Sequence, residues 1–268
     1  MDKRIFVFMT LLTLLSSCGM ASALKETRIT TNTADQWDPS IWSNYITWTD
    51  FRNGGSDIYL QNMANKQQTR VTKGVYAQNP YVAGTKIVWN DYRNGNSDIY
   101  MYDISNKKTT RITTNTADQY DPAMYDKYIV WIDRRNGYQD VYLQDLGTKK
   151  QTKITTNAYA SCPGIYGNRI VWVDSNVIYT YDLKTKKTTK VLTNVLIDYD
   201  AYSLTIHGNK ILFNELYEGI VFTHMYDIST KKFIELPFTY VESPSMYSNK
   251  VVYTDWRNGN SDIYMAQI

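Results

Sequence analysis

The stretch TDFRNGGSDIY at residues 49–59 recurs along the chain with small changes, and it decides the fold. Its copies are NDYRNGNSDIY at residues 90–100, IDRRNGYQDVY at 132–142 and TDWRNGNSDIY at 254–264. An aromatic residue, which we call the anchor, directly precedes each copy, and two more divergent repeats carry an anchor as well. The six anchors are spaced 40 to 42 residues apart: Trp48, Trp89, Trp131, Trp172, Phe213 and Tyr253. A period of about 40 to 45 residues with several short strands is typical of a propeller blade.

Each period divides into four predicted strands. Because proline lacks an N–H, we place it at the first residue of the first strand, at Pro39, Pro80, Pro122, Pro163 and Pro244. The second strand is an unbroken apolar run that ends in the anchor, which indicates burial on both faces between neighbouring blades. An Asn-Gly turn precedes the third strand, and a Lys-rich turn precedes the fourth.

The two ends of the chain complement each other. The sequence stops just after a third strand, whereas residues 26–30 have the pattern of a fourth strand. The two fragments complete one blade, which removes the open edge of a circular array. The sequence therefore predicts an all-β fold, a six-bladed β-propeller with four antiparallel strands per blade, closed by the N-terminal strand. A solenoid is the alternative, but it would need a capping unit at each end.

Residues 1–23 have the pattern of a signal peptide. A positive start is followed by an apolar run at residues 5–15 and a small-residue cleavage site at residues 21–23. The sequence before Cys18 also resembles a lipobox, so cleavage after residue 23 and lipidation at Cys18 both remain open. Either predicts export to the cell surface, the extracellular space or the periplasm. No later stretch is apolar enough for a transmembrane helix, and residues 24–268 form one predicted domain.

The repeat resembles that of the TolB-type propellers. The resemblance rests on the Asp-Arg pair, the Gly turn, Asp-Ile-Tyr, and the following Arg-Ile-Thr and Pro, and it covers roughly residues 24 to 268. It implies a propeller of the kind found in stand-alone exported surface proteins. TolB itself carries an N-terminal α/β domain that this sequence lacks, so its periplasmic partners are not implied.

Propeller topology assigns the loops to two faces. We call the face with the blade-to-blade links and the turns between second and third strands the upper face, and the opposite one the lower face. The lower-face turns have a net charge of +10 and include Lys66, Lys107, Lys108, Lys149, Lys150, Lys184, Lys186, Lys187, Lys231 and Lys232. This charge could contact an anionic envelope polymer, or simply keep the exposed turns soluble. Binding to nucleic acid is not expected, because export separates the protein from nucleic acid and the lysines lack interleaved aromatic residues.

The upper face is the predicted ligand-binding face. The positions ten residues before the anchors should ring the mouth of the central channel: Asp38, Asn79, Asp121, Cys162, Ser203 and Ser243. Aromatic residues beside them make this a plausible site for a sugar, a peptide or a protein loop. The candidate ligand-binding residues are Trp37, Asp38, Asn79, Tyr120, Asp121 and Tyr202. The alternative is that these Asp and Asn side chains cap turns.

The Asp50-x-Arg52-Asn53-Gly54 loops could suggest calcium, but their spacing does not match an EF-hand and the arginine would repel a cation. A structural ion pair of Arg52 with Asp50 or Asp57 is the simpler interpretation. Blades four and five lack this loop, which makes the face asymmetric.

The sequence does not point to an enzyme. His207 and His224 lack metal-ligand spacing, and no nucleophile motif or phosphate loop is present. Oligogalacturonate lyases use a related propeller, but their histidine-rich metal centre has no counterpart here. We therefore predict an exported, non-catalytic propeller that binds a protein or polysaccharide of the cell envelope, without cofactor or metal. The alternatives are a lyase or hydrolase that uses upper-face carboxylates such as Asp38 and Asp121, and a structural envelope component.

Overall fold

The computed structural model of the protein describes residues 25–196 and 204–268, which contain strands and no helix. The strand β1 (Lys25–Arg28) comes first. The first blade contains β2 (Gln36–Trp42), β3 (Tyr45–Asp50), β4 (Asp57–Asn62) and β5 (Gln67–Arg70). The second contains β6 (Ala77–Ala83), β7 (Lys86–Asp91), β8 (Asp98–Asp103) and β9 (Lys108–Arg111). The third contains β10 (Gln119–Tyr125), β11 (Tyr128–Asp133), β12 (Asp140–Asp145) and β13 (Gln151–Lys153).

The remaining three blades follow the same order. The fourth contains β14 (Ser161–Tyr166), β15 (Arg169–Asp174), β16 (Val177–Asp182) and β17 (Thr188–Thr193). The fifth contains β18 (Leu204–His207), β19 (Lys210–Tyr217), β20 (Ile220–Asp227) and β21 (Lys232–Thr239). The sixth contains β22 (Glu242–Tyr247), β23 (Lys250–Asp255) and β24 (Asp262–Gln267), with β1 as its outer strand.

The predicted six-bladed β-propeller is confirmed, including its closure. Each sheet has four antiparallel strands, and β1 pairs with β24 so that Lys25 lies opposite Gln267 and Arg28 opposite Tyr264. Ile29 continues this pairing, because its backbone N–H donates to the carbonyl oxygen of Ile263 at 2.7 Å. The first and last parts of the described chain are thus held in one sheet.

The core lies between the blades, as the apolar second strands predict. Six clusters of buried side chains each join two neighbouring blades, and each cluster contains one of the six anchors. The cluster around Trp131 joins Val88 and Ile99 of the second blade to Met124 and Tyr142 of the third. Every anchor except Trp172 is fully buried, and Trp172 is 3% exposed. The aromatic period of the sequence is therefore the spacing of the interblade core.

The position of the prolines was predicted wrongly. The inner strands begin two or three residues before the proline, at Gln36 in the first blade and Ser161 in the fourth. The pairing register shifts at this point, for example between Trp37 and Ser40, so the proline lies in a β-bulge. A bulged residue is unpaired in the ladder, and the missing proline N–H therefore costs no hydrogen bond there.

The lower-face turns have the expected geometry. The turns between first and second strands use left-handed residues such as Ser43 and Gly84, with φ of 54° and 59°. In the turns between third and fourth strands, the aspartates accept hydrogen bonds from backbone N–H groups two residues on, as Asp103 does from Ser105 at 2.9 Å. The lysines of these turns are exposed. The acids therefore stabilise the turns while the lysines face solvent.

Two predictions concern membranes and export. Within the part of the chain that the structure describes, no helix has the length and apolar character needed to cross a membrane. The predicted signal peptide at residues 1–23, with Cys18, lies outside the described residues.

Candidate ligand-binding face

The bulges of the inner strands build a polar ring at the upper mouth of the channel. The ring residues share a left-handed backbone, with φ between 47° and 52°, and five of them are described: Asp38, Asn79, Asp121, Cys162 and Ser243. The same residues line one cavity together with the prolines that follow them. In each of these five blades the bulge thus turns one side chain toward the axis, as predicted. Ser203, the sixth position, lies outside the described residues.

Hydrogen bonds join the ring side chains to one another. Asn79 Nδ2 donates to Asp121 Oδ1 at 2.9 Å, and Ser243 Oγ donates to Asp38 Oδ1 at 3.1 Å. The second strands hold the ring from below, since Asn90 Oδ1 accepts from the backbone N–H of Asp121 at 3.0 Å. Asp121 Oδ2, by contrast, makes no hydrogen bond to any described residue.

The two ring carboxyls keep their protons to a higher pH than an ordinary aspartate does. Burial raises the pKa of Asp38 to about 6, although hydrogen bonds from Ser243 and Thr49 oppose the shift. Burial also raises the pKa of Asp121 to about 6, and the nearby charge of Asp38 adds to this effect. Both groups therefore titrate in a range that solution experiments can reach.

We expect Asp121→Asn to stabilise the protein at pH 7.5 and to have little effect at pH 4. The folded pKa of Asp121 is about 6, against an ordinary value of 3.8, so the folded state holds more protons between these values. Stability contributed by the protonated form is complete below about pH 4 and is lost as the pH rises through about 6. Asparagine mimics that form, tolerates the left-handed backbone and already occupies the equivalent position at Asn79.

The gain at pH 7.5 should be about 1–3 kcal/mol in the free energy of unfolding, measured by urea denaturation at both pH values. Equal stability changes at pH 4 and pH 7.5 would contradict the assignment of a raised pKa to this carboxyl.

The channel below the ring is closed by side chains. Tyr81 lines the cavity and hydrogen-bonds to Thr205 of the opposite blade, and burial raises the pKa of Tyr81 to about 12. At the lower end, five rings from five blades pack together with centroid distances of 4.6 to 6.5 Å: Trp42, Tyr125, Tyr166, His207 and Tyr247. The cavity left under the ring measures about 100 Å³. Ligand pockets usually measure about 300–1,000 Å³, so the ring itself is too small for a sugar.

A larger pocket lies beside the ring on the upper face. It measures about 320 Å³ and is lined by Tyr92, Ser97, Asp118, Tyr120, Asp121, Arg134, Gln139 and Ser161. Tyr120 and Asp121 are among the predicted site residues, but Tyr92, Ser97, Arg134, Gln139 and Ser161 were missed. The signal that could have found Tyr92 and Arg134 is the second position of the Asp-x-Arg-Asn-Gly loop, which varies as Phe51, Tyr92, Arg134 and Trp256.

The other predicted site residues divide between the ring and its surroundings. Asp38 and Asn79 belong to the ring. Trp37 stands outside it, with its ring 4.6 Å from that of Phe51. Tyr202 lies outside the described residues. Asp118, which lines the larger pocket, also caps a loop, since its Oδ1 accepts from the backbone N–H of Ser97 at 3.0 Å.

The repeated Asp-x-Arg loops are structural. Arg52 Nη2 lies 2.6 Å from Asp50 Oδ2, and its guanidinium lies 4.4 Å above the Tyr59 ring. Asp57 pairs instead with Arg70 of the fourth strand at 2.6 Å. The same arrangement recurs in the loops at Arg93, Arg135 and Arg257. Each copy therefore has two buried carboxylates that are neutralised, one by the arginine of the loop and the other by a cation of the fourth strand.

The histidines lie in different surroundings. His207 belongs to the aromatic layer at the lower end of the channel, where burial lowers its pKa. His224 lies in β20, 3.4 Å from Glu215 Oε2. Among residues 25–196 and 204–268, no group of three or more His, Cys, Asp or Glu side chains has an arrangement suited to a metal ion.

Comparison with known proteins identifies solved structures with a similar fold. No protein-family model and no curated protein matches the sequence. TolB from Acinetobacter baumannii superposes with a TM-score of 0.67 and 17% identity, covering 81% of this chain and 58% of that one. A putative TolB from Agrobacterium tumefaciens has a TM-score of 0.65 and 15% identity, and the match covers 92% of this chain and 99% of that one. An oligogalacturonate lyase from Vibrio parahaemolyticus has a TM-score of 0.58 and 14% identity, and the match covers 92% of this chain and 94% of that one.

The chain thus spans 58% of the length of the A. baumannii TolB. At such low identity these likenesses show the fold alone, and they support the resemblance to TolB-type propellers at that level.

Proposed function

We propose that the protein is an exported, non-catalytic binding module whose upper face recognises a protein or polysaccharide of the cell envelope. The observation that carries this proposal is the distribution of exposed apolar side chains. Ten large apolar side chains are exposed within the described residues, and eight of them lie on the upper face: Tyr76, Tyr92, Tyr159, Leu196, Leu216, Tyr217, Tyr240 and Trp256. Aromatic side chains in this density mark recognition surfaces.

The upper face is also uneven, as a specific partner requires. In the fifth blade β19 and β20 each have eight residues, against six for the second and third strands of the other five blades, and only two residues join them. Leu216 and Tyr217 near the tip of this hairpin are 40% and 42% exposed. The backbone N–H of Leu216 donates to the carbonyl oxygen of Leu196 at 2.8 Å, which fixes the hairpin to the preceding blade link.

Binding to envelope extracts and glycans tests this proposal. We expect retention of a partner at high salt to be lost in the double variant Tyr92→Ala, Trp256→Ala and kept in Phe233→Ala. Phe233 is the matched control because it is 47% exposed but lies on β21, at the outer edge of its blade. Equal loss in both variants, or none in either, would contradict an upper-face site.

The lower face is proposed to make a second, weaker contact with anionic envelope polymer. Its exposed lysines attract anions over roughly 8 Å at physiological ionic strength, so this contact should disappear at high salt. Neutralising Lys107 and Lys108 should weaken low-salt retention and leave high-salt retention unchanged.

A carbohydrate-active enzyme is the second candidate function. It is favoured by Asp121, which lines the larger pocket as well as the ring, and whose pKa of about 6 suits general acid catalysis. Release of oligosaccharides from a polysaccharide, abolished by Asp121→Asn in a folded protein, would establish it. Retained binding without turnover would favour the binding module.

A further inference from the structure

Arg134 is the exception among the repeated upper-face loops. In the loops of the first, second and sixth blades, an aromatic residue stands between the Asp and the Arg that pair, at Phe51, Tyr92 and Trp256. In the third blade this position carries a second arginine, Arg134, while the structural pair is still made by Asp133 and Arg135 at 2.6 Å. Arg134 is therefore not needed for the pairing that shapes the loop.

The Arg134 guanidinium lies in the pocket beside the ring. Its central carbon lies 5.4 Å from the centroid of the Tyr120 ring. When the Gln139 amide donates to the carbonyl oxygen of Ala160 at 3.2 Å, its oxygen accepts from Arg134 Nη2 at 2.8 Å. Four arginines of this motif pair with a carboxylate, whereas Arg134 has no ion pair within residues 25–196 and 204–268. A guanidinium has five N–H donors, so most remain available to a ligand.

The rest of the pocket offers groups for hydroxyls. Tyr92 and Tyr120 supply aromatic surface, and Asp118 supplies acceptor oxygens. Ser161 also lines the pocket, and its buried Oγ makes no hydrogen bond to any residue that the structure describes.

From these contacts we infer that the pocket binds one uronate residue of a polysaccharide, with Arg134 pairing to its carboxylate. The inference rests on the proposed upper-face binding function and gives it a substrate class. The pocket volume of about 320 Å³ suits a single sugar residue with its neighbours outside. Arginine pairs with a carboxylate through two parallel hydrogen bonds, and the aromatic surface packs against the sugar ring.

The acids near the pocket favour a uronate over an acidic peptide. Asp118 can accept from a sugar hydroxyl, whereas a Glu or Asp side chain has no hydroxyl to offer it. The carboxylates of Asp118 and Asp121 would also repel a second carboxylate nearby. The polysaccharide should therefore carry isolated uronates between neutral sugars.

Ligand-detected NMR titration of the purified protein with glucuronate and galacturonate tests the inference, with glucose, galactose and a Glu-containing tripeptide as comparison ligands. We expect a uronate to bind at least tenfold more tightly than its neutral counterpart and than the peptide. Arg134→Gln should lose at least tenfold of that affinity, Arg134→Lys should keep a part of it, and Phe233→Ala should keep all of it. Thermal unfolding checks that Arg134→Gln, at an exposed position, remains folded.

Equal affinity for uronates and neutral sugars, equal affinity for the peptide, or unchanged uronate binding in Arg134→Gln would each overturn the inference. The proposed function is judged separately, by the envelope-extract experiment. If a partner from the extract is lost in Tyr92→Ala, Trp256→Ala but uronates do not bind, the inference fails and the binding function stands. If neither an envelope partner nor a uronate binds, both the proposed function and the inference fail.

Discussion

Replacing Trp131 with alanine should lower the free energy of unfolding by about 3–5 kcal/mol, as expected for removal of a fully buried aromatic side chain. Trp131 is completely buried between the second and third blades, and its ring stacks on Tyr142 at 6.1 Å. Its Nε1 donates to Asp133 Oδ2 at 2.9 Å, so the variant loses a buried hydrogen bond together with the packing. Guanidinium denaturation followed by circular dichroism measures the change.

Two further variants make this result specific. Trp256→Ala removes the same side chain from a position that is 44% exposed, and should cost less than about 1 kcal/mol. Trp131→Phe should cost clearly less than Trp131→Ala, because Phe213 fills the equivalent buried position of the fifth blade. Similar losses in Trp131→Ala and Trp256→Ala would show that the interblade clusters do not dominate stability.

Arg28→Ala should destabilise the protein by about 2–4 kcal/mol, although it lies in a short outer strand. Arg28 Nη2 lies 2.6 Å from Asp262 Oδ2, and the Asp262 side chain is fully buried. Asp262 keeps a hydrogen bond from Thr30 Oγ1 at 3.2 Å, but it loses its only arginine partner among the described residues. A buried carboxylate without its cation is costly, and the loss falls on the sheet that closes the ring.

The third blade provides the rescue for this variant. There Lys153 Nζ lies 2.8 Å from Asp140 Oδ2, in the place of the arginine, so Arg28→Lys should recover most of the stability. Lys25→Ala, in the same strand, changes an exposed side chain and should be close to neutral. If Arg28→Ala and Lys25→Ala unfold at the same denaturant concentration, the pair with Asp262 contributes little to closure.

The architecture could be predicted because its main interactions repeat. One aromatic anchor per blade sets the spacing of the interblade clusters, and the complementary ends of the chain indicate closure in a shared sheet. The proline position was wrong because a bulge is a feature of pairing register, which no single strand sequence shows. The choice between Asp50 and Asp57 for Arg52 stayed open for a related reason: these two residues lie directly opposite in the sheet, and only the next strand shows that Arg70 pairs with Asp57.

The candidate site could be predicted only in part. The ring residues follow from their constant distance to the anchors, so Asp38, Asn79 and Asp121 were found together. The pocket beside the ring depends on side chains from the second, third and fourth blades, and on the fact that Tyr81 and Trp42 fill the channel. These are differences among repeats, and a pattern based on what the repeats share does not reveal them.

The closing strand also determines how the propeller can be oriented. Lys25 lies opposite Gln267, which lies opposite Lys250 just after a lower-face turn, so residue 25 stands at the lower rim. Any segment before it leaves from that side. Seven residues reach at most about 25 Å when fully extended, so a lipid on Cys18 would hold the lysine-bearing turns close to a bilayer. The aromatic surface and the Arg134 pocket would then point away from that bilayer.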